Sequence, residues 1–103
     1  MHRRVEEIAR KLPHEPGIYI FKDGQGQVLY VGKAADLRKR VVSYLKRGGD
    51  GRFLLHFLEE EARDLEFLVT QTEQEAVLLE NTLIKKFKPK HNIRLKDDKA
   101  YLM

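Results

Sequence analysis

Two short runs rich in β-branched and aromatic side chains, GIYIFK at Gly17–Lys22 and VLYV at Val28–Val31, stand on either side of DGQGQ, a stretch of turn chemistry. Strands this short, joined this closely, can only pair back on one another, so an antiparallel hairpin is the first commitment of the chain. Upstream, Val5, Ile8, Ala9 and Leu12 recur at helical spacing and predict a short amphipathic helix ended by Pro13, with Pro13 and Pro16 bracketing a turn. Downstream, Leu37, Val41, Tyr44 and Leu45 repeat that spacing, with Asp36 placed to cap the start and Gly48 and Gly49 to stop the end. A further helix is expected over about Arg52 to Ala62. Leu65, Phe67 and Val69 then alternate with Glu66, Leu68 and Thr70 as a third strand. TEQE at Thr72–Glu75 is a capping box that opens a helix running to about Lys86, with Pro89 beyond it. This order predicts an α+β fold, a small mostly antiparallel three-stranded sheet flanked by helices.

The 103 residues suit one domain. With 42% hydrophobic and 35% charged residues, they can form a small core under a charged surface. The absence of cysteine excludes a disulfide framework, a thiolate metal site and a cysteine nucleophile. No apolar run is long enough for a membrane span or a secretion signal, so a cytoplasmic protein without a membrane partner is expected. The net charge of +4 conceals regional imbalance: residues 22–52 hold eight Lys/Arg against three Asp, residues 53–84 one Arg against eight acids, and residues 85–99 seven Lys/Arg against two Asp. If the two basic segments adjoin, with the acidic one turned away, they form a cationic surface suited to a phosphate backbone; otherwise they are ordinary solvated faces.

Glu80 is the most informative single residue. Taking Ala76 as zero on the last helix, Leu83 falls at about 340°, Phe87 at about 20°, Glu80 at about 40° and Ile84 at about 80°, which puts a carboxylate inside an apolar stripe. A buried carboxylate without a partner costs several kcal/mol, so it needs a cation or must become neutral. A structural salt bridge and a divalent-metal ligand are both open readings. On the helix that follows the hairpin Arg40 and Tyr44 stand at i and i+4 and Arg47 continues the same edge, an arrangement that serves phosphate binding or is simply arginine over a core tyrosine. Tyr19 and Tyr30 on the hairpin read as packing when taken alone, and Lys33 beside Gly32 is a modest phosphate-site hint. GQVLYVGKA lacks the spacing and hydroxyl of a P-loop. Nothing places a histidine beside Ser43, and His2, His14, His56 and His91, without metal spacing, are expected at the surface or partly packed.

GIY at Gly17–Tyr19 followed by YVG at Tyr30–Gly32 resembles the GIY-YIG nuclease family. GKAADLRKRVVSYL, LLENTLIKKFKPKHN and LKDDK resemble its UvrC branch, whose members carry out incision in bacterial nucleotide excision repair. The resemblance spans nearly the whole chain, with valine for isoleucine at Val31. It implies catalytic roles for Tyr19, Tyr30, Lys33, Arg40, Tyr44 and Asn92, with Tyr30 as general base, and a metal-binding role for Glu80 toward one Mg²⁺ or Mn²⁺. It also implies a bacterial cytoplasmic endodeoxyribonuclease making the 3′-side incision, with damaged double-stranded DNA and, in the full-length protein, the UvrB–DNA complex as partners. No stretch resembles the family's UvrB-contacting segment, second nuclease domain or helix-hairpin-helix elements, so residues 1–103 are expected to be an N-terminal fragment, monomeric in isolation. The alternatives are a free-standing nuclease for branched or hairpin DNA and a non-catalytic nucleic-acid-binding module.

Overall fold

The computed structural model describes residues 1–45 and 52–92. The elements run α1 (Arg3–Arg10), β1 (Gly17–Lys22), β2 (Val28–Ala34), α2 (Leu37–Ser43), α3 (Arg52–Glu61), β3 (Asp64–Val69) and α4 (Glu73–Phe87). The sheet order is β2-β1-β3 with both pairings antiparallel, as the α+β expectation requires.

Local chemistry accounts for the boundaries. Asp23 accepts from the backbone N–H groups of Gln25 and Gln27 through its carboxylate, and Gly26 takes φ +84°, a conformation glycine adopts without a Cβ penalty. Asp36 caps α2 by accepting from the Lys39 N–H at 3.0 Å. Thr72 accepts from the Glu75 N–H at 3.1 Å, and the Glu75 carboxylate reaches back to the N–H of Gln71. At the other end of α4, Lys88 adopts the left-handed conformation and Pro89 prevents continuation. α2 ends at Ser43 with Tyr44 as its C-cap, several residues short of the stop expected at Gly48 and Gly49, because Tyr44 and Leu45 bond back three residues to Val41 and Val42 and tighten the last turn. Those glycines, the edge position of Arg47 and the LKDDK stretch lie outside the described residues.

The sheet is covered on both faces. One face carries Tyr19 and Phe21, packed with Val5, Ala9 and Leu12 from the α1 region, Leu37 and Val41 from α2, and Leu54 and Leu58 from α3. The other carries Ile18, Ile20 and Val31 beneath Ala76, Leu79, Leu83 and Ile84 of α4. The hairpin register slips between Phe21 and Lys22, whose partners are Tyr30 and Val28, leaving Leu29 as the extra residue of a bulge. Adjacent residues in a regular strand face opposite ways, yet Leu29 and Tyr30 both pack against the first core. The bulge thus turns Leu29 onto the face where Tyr30 already lies opposite Phe21.

Packing corrects several expectations. β3 is an edge strand, so Phe67 and Val69, placed by alternation on its inner face, are exposed along with Leu68. Phe87 lies in the last turn of α4 and is exposed rather than part of the buried stripe. His91 is completely buried. The acidic segment is not turned away: Lys22–Glu66, Lys33–Glu80 and Lys90–Glu61 pairs tie it to both basic segments. Among the described residues no helix is long and apolar enough to cross a membrane.

Candidate active site

The site begins at the hairpin, because register brings its two tripeptides together. Tyr19 lies opposite Gly32, and a Cβ on Gly32 would sit 2.3 Å from the Tyr19 ring and hydroxyl, so only glycine lets the phenol lie across the neighbouring strand. Tyr44, at the C-cap of α2, presents its hydroxyl 2.5 Å from that of Tyr19; both side chains are buried. Tyr30 completes the cluster, its ring centroid 6.3 Å from that of Tyr19. Arg40, exposed one turn before Tyr44, lies with its guanidinium carbon 5.3 Å from the Tyr44 ring centroid. The helical spacing therefore reads as both an exposed arginine and a core tyrosine, and the two meet at the same site.

Glu80 approaches from the opposite face of the sheet. Its helix packs on β2, and its side chain is 16% exposed with an oxygen 3.8 Å from the Lys33 ammonium. That distance makes an ion pair without a direct hydrogen bond. Glu80 also raises the Tyr30 pKa electrostatically, so its charge is felt at the phenol cluster. Of the two readings left open by the helical wheel, the ion pair is present, to a lysine three residues beyond Tyr30 on β2.

A phenol serving as a base would be helped by cations that lower its pKa, yet burial, then the Tyr44 and Glu80 charges, push Tyr30 well above the ordinary phenol range, against an opposing pull from Arg40. Tyr19 is raised well above it too, first by burial, then by Tyr44 and Tyr30, with Arg40 again opposing. Both are neutral at pH 7.

Asn92 is brought to the site in a way its spacing does not announce. Its side-chain oxygen accepts from the Val31 N–H at 2.7 Å and its amide nitrogen donates to the Val31 carbonyl at 2.8 Å. One side chain thus supplies the hydrogen bonds of a missing strand on the outer edge of β2, next to Tyr30. All seven expected residues consequently gather around one end of β2. Beside them opens a groove of about 330 Å³ lined by Lys33, Ala34, Ala35, Arg40, Glu73, Ala76 and Val77, two cations against one acid.

Residues 15–93 match the UvrC-like GIY-YIG domain family. The chain belongs to that family. It is 56% identical over 89 residues to the UvrABC system protein C of Geotalea daltonii, covering 86% of this chain and 14% of that protein. Its counterpart from Chlamydia trachomatis serovar D is 48% identical over 99 residues, covering 95% of this chain and 17% of that protein. The chain therefore spans about one seventh to one sixth of the length of these relatives. Among solved structures, the GIY-YIG N-terminal endonuclease domain of UvrC from Thermotoga maritima, bound to its catalytic magnesium, superposes with a TM-score of 0.78 at 40% identity, covering 87% of this chain and 97% of that one. Forms of that domain with single substitutions of a tyrosine or an asparagine have also been solved with the cation bound.

Proposed function

We propose that this GIY-YIG domain is an endodeoxyribonuclease unit that hydrolyses one DNA phosphodiester with the help of a single Mg²⁺ or Mn²⁺. The observation that carries the reading is the convergence of Glu80, Lys33, Arg40 and three phenols on the β2 end, in a chain of this family. The donor set fits such an ion. Glu80 is a single, mostly buried carboxylate, and no group of three or more histidine or acidic ligands occurs among the described residues. That suits a hard cation that keeps most of its waters and takes one protein carboxylate, and it does not suit a fully caged metal. Persistence of the cation in the substituted Thermotoga forms supports the carboxylate, rather than the phenols or the amide, as the principal ligand.

The groove beside Lys33 and Arg40 would take the DNA backbone. In the reaction a water oxygen bonds to phosphorus as the phosphorus–O3′ bond breaks, giving a 5′-phosphate and a 3′-hydroxyl. Arg40 and Lys33 stabilise the negative charge that accumulates on the phosphate oxygens. Tyr30, neutral at pH 7, takes the water's proton while its own passes to solvent, because a standing phenolate is disfavoured by burial, and the departing O3′ takes a proton from solvent in turn. The Tyr19–Tyr44 hydroxyl pair holds the Tyr30 environment, and Asn92 holds the strand that carries it. A divalent ion at Glu80 would polarise the phosphate and offset the carboxylate's push on Tyr30.

The relatives' names support placing this activity in nucleotide excision repair. There residues 1–103 would form a single domain, the N-terminal part of a longer cytoplasmic bacterial protein, making the 3′-side incision in damaged duplex DNA held by UvrB. Glu80→Gln separates this reading from a binding module. Nicking of supercoiled DNA in Mn²⁺ should fall at least ~10³-fold, while DNA affinity at fixed salt is retained. Unchanged nicking would remove Glu80 from the reaction.

A further inference from the structure

Asn92 lies beyond the end of α4, and its grip on β2 depends on how the intervening backbone is held. His91 is fully buried, with its ring stacked on Phe57 of α3 at 4.5 Å between centroids and 11° between planes. Its Nε2 lies 3.2 Å from one oxygen of Glu61, whose other oxygen is 3.2 Å from the Lys90 ammonium. Pro89 and His91 are both fully buried, with the exposed Lys90 between them, so this short segment is docked onto the body of the domain. The His91 imidazole is fixed by an aromatic plane and a carboxylate, both on α3.

The next residue is the clamp. Val31 pairs with Ile20 across the hairpin, but its N–H and C=O are both taken by the Asn92 side chain, so they point out of the sheet, away from β1. Tyr30 and Gly32 flank it on the same strand. Any shift of the backbone at 91–92 therefore releases the β2 edge beside the phenol that acts on the water.

We propose that His91 is a positioning residue: docked between Phe57 and Glu61, it sets Asn92 against Val31 and thereby holds Tyr30 in place. Its effect on cleavage rests on the nuclease reading above, whereas the dock itself does not, and the test reads the two separately. In the isotope-labelled 103-residue protein, His91→Ala should speed hydrogen exchange of the Val31 amide by about tenfold or more, while β1 amides stay protected. His91→Phe, which keeps a ring for the Phe57 stack, should preserve most of the protection. In Mn²⁺-dependent nicking, His91→Ala should lower kcat with little change in KM. His91→Ala combined with Asn92→Ala should be no slower than Asn92→Ala alone, because the first substitution acts through the second residue.

Unchanged Val31 exchange in His91→Ala would overturn the dock. Additive losses in the double variant, or normal kcat despite faster exchange, would overturn the positioning role. If His91→Ala does not fold, Glu61→Gln carries the same measurement at the same amide: faster Val31 exchange supports the dock, and unchanged exchange opposes it.

Discussion

The two edges of the sheet are finished in opposite ways. The outer edge of β2 is closed by a side-chain amide from a distant segment, and the residues around it include a buried hydroxyl pair, a carboxylate and two cations. Along the β3 edge strand, Phe67, Leu68 and Val69 are exposed, and the strand's polar side chains Asp64 and Glu66 pair with Arg4 and Lys22 rather than gathering in one cluster. An edge strand's unpaired N–H and C=O groups are ordinarily a liability for association. At β2 that liability is removed where geometry must be held for chemistry. The contrast teaches that precision in this small domain is local: one side of a three-stranded sheet is over-determined, and the other is only folded.

The largest effect that would break this comparison is at Tyr30. Replacing it with phenylalanine keeps the ring and deletes the hydroxyl, and nicking should fall by ~10²-fold or more with little change in melting temperature. Near-normal cleavage would leave Tyr30 as packing and reduce the β2 edge to a structural feature. Next is Gly32→Ala. A methyl there meets the Tyr19 ring at 2.3 Å, so the phenol must move, and a loss of about 1–3 kcal/mol is expected in urea unfolding. Equal stability would mean that the close approach is not constraining.

A smaller effect is expected in alkali. Tyr30 has a higher pKa in the folded chain than the ordinary value near 10, so the unfolded chain releases that proton first. Stability is unaffected by this group below about pH 10 and is lost as pH rises from there toward the folded value. Tyr30→Phe should remove part of that alkaline loss in thermal melts, and an unchanged profile would count against a strongly raised Tyr30. The smallest effect belongs to the other edge. Leu68→Lys should change stability by no more than ~0.5 kcal/mol and leave cleavage intact. A large loss of either would show that β3 is as constrained as β2.

How legible these edges were in the sequence depended on the range of the interaction involved. The hairpin strands, the Asp23 turn and the caps at Asp36 and Thr72 are set by neighbours within a few residues, and they form where the spacing places them. Glu80 was legible because a charge inside an apolar stripe violates a periodic pattern, and its partner was open because no periodicity reports which lysine lies across the interface. Phe67, Val69 and Phe87 failed as core residues because an alternating or helical pattern cannot tell a central element from an edge, or a covered turn from a free one. The Asn92 clamp and the burial of His91 left no pattern, since each depends on contact with residues dozens of positions away. Family resemblance alone singled out Asn92, and nothing singled out His91. The tyrosines and Arg40 carried a motif signal, whereas the upward push on Tyr30 required knowing its burial and the side of the sheet from which Glu80 approaches.

The central claim is that the Glu80 carboxylate receives a divalent ion beside the phenols of the β2 edge. Anomalous diffraction from crystals of the chain soaked in Mn²⁺ tests it directly. The account predicts one strong peak within about 2.3 Å of a Glu80 oxygen, on the side facing Tyr30, and no such peak in Glu80→Gln. Manganese bound elsewhere, with the Glu80–Lys33 pair undisturbed, would contradict it.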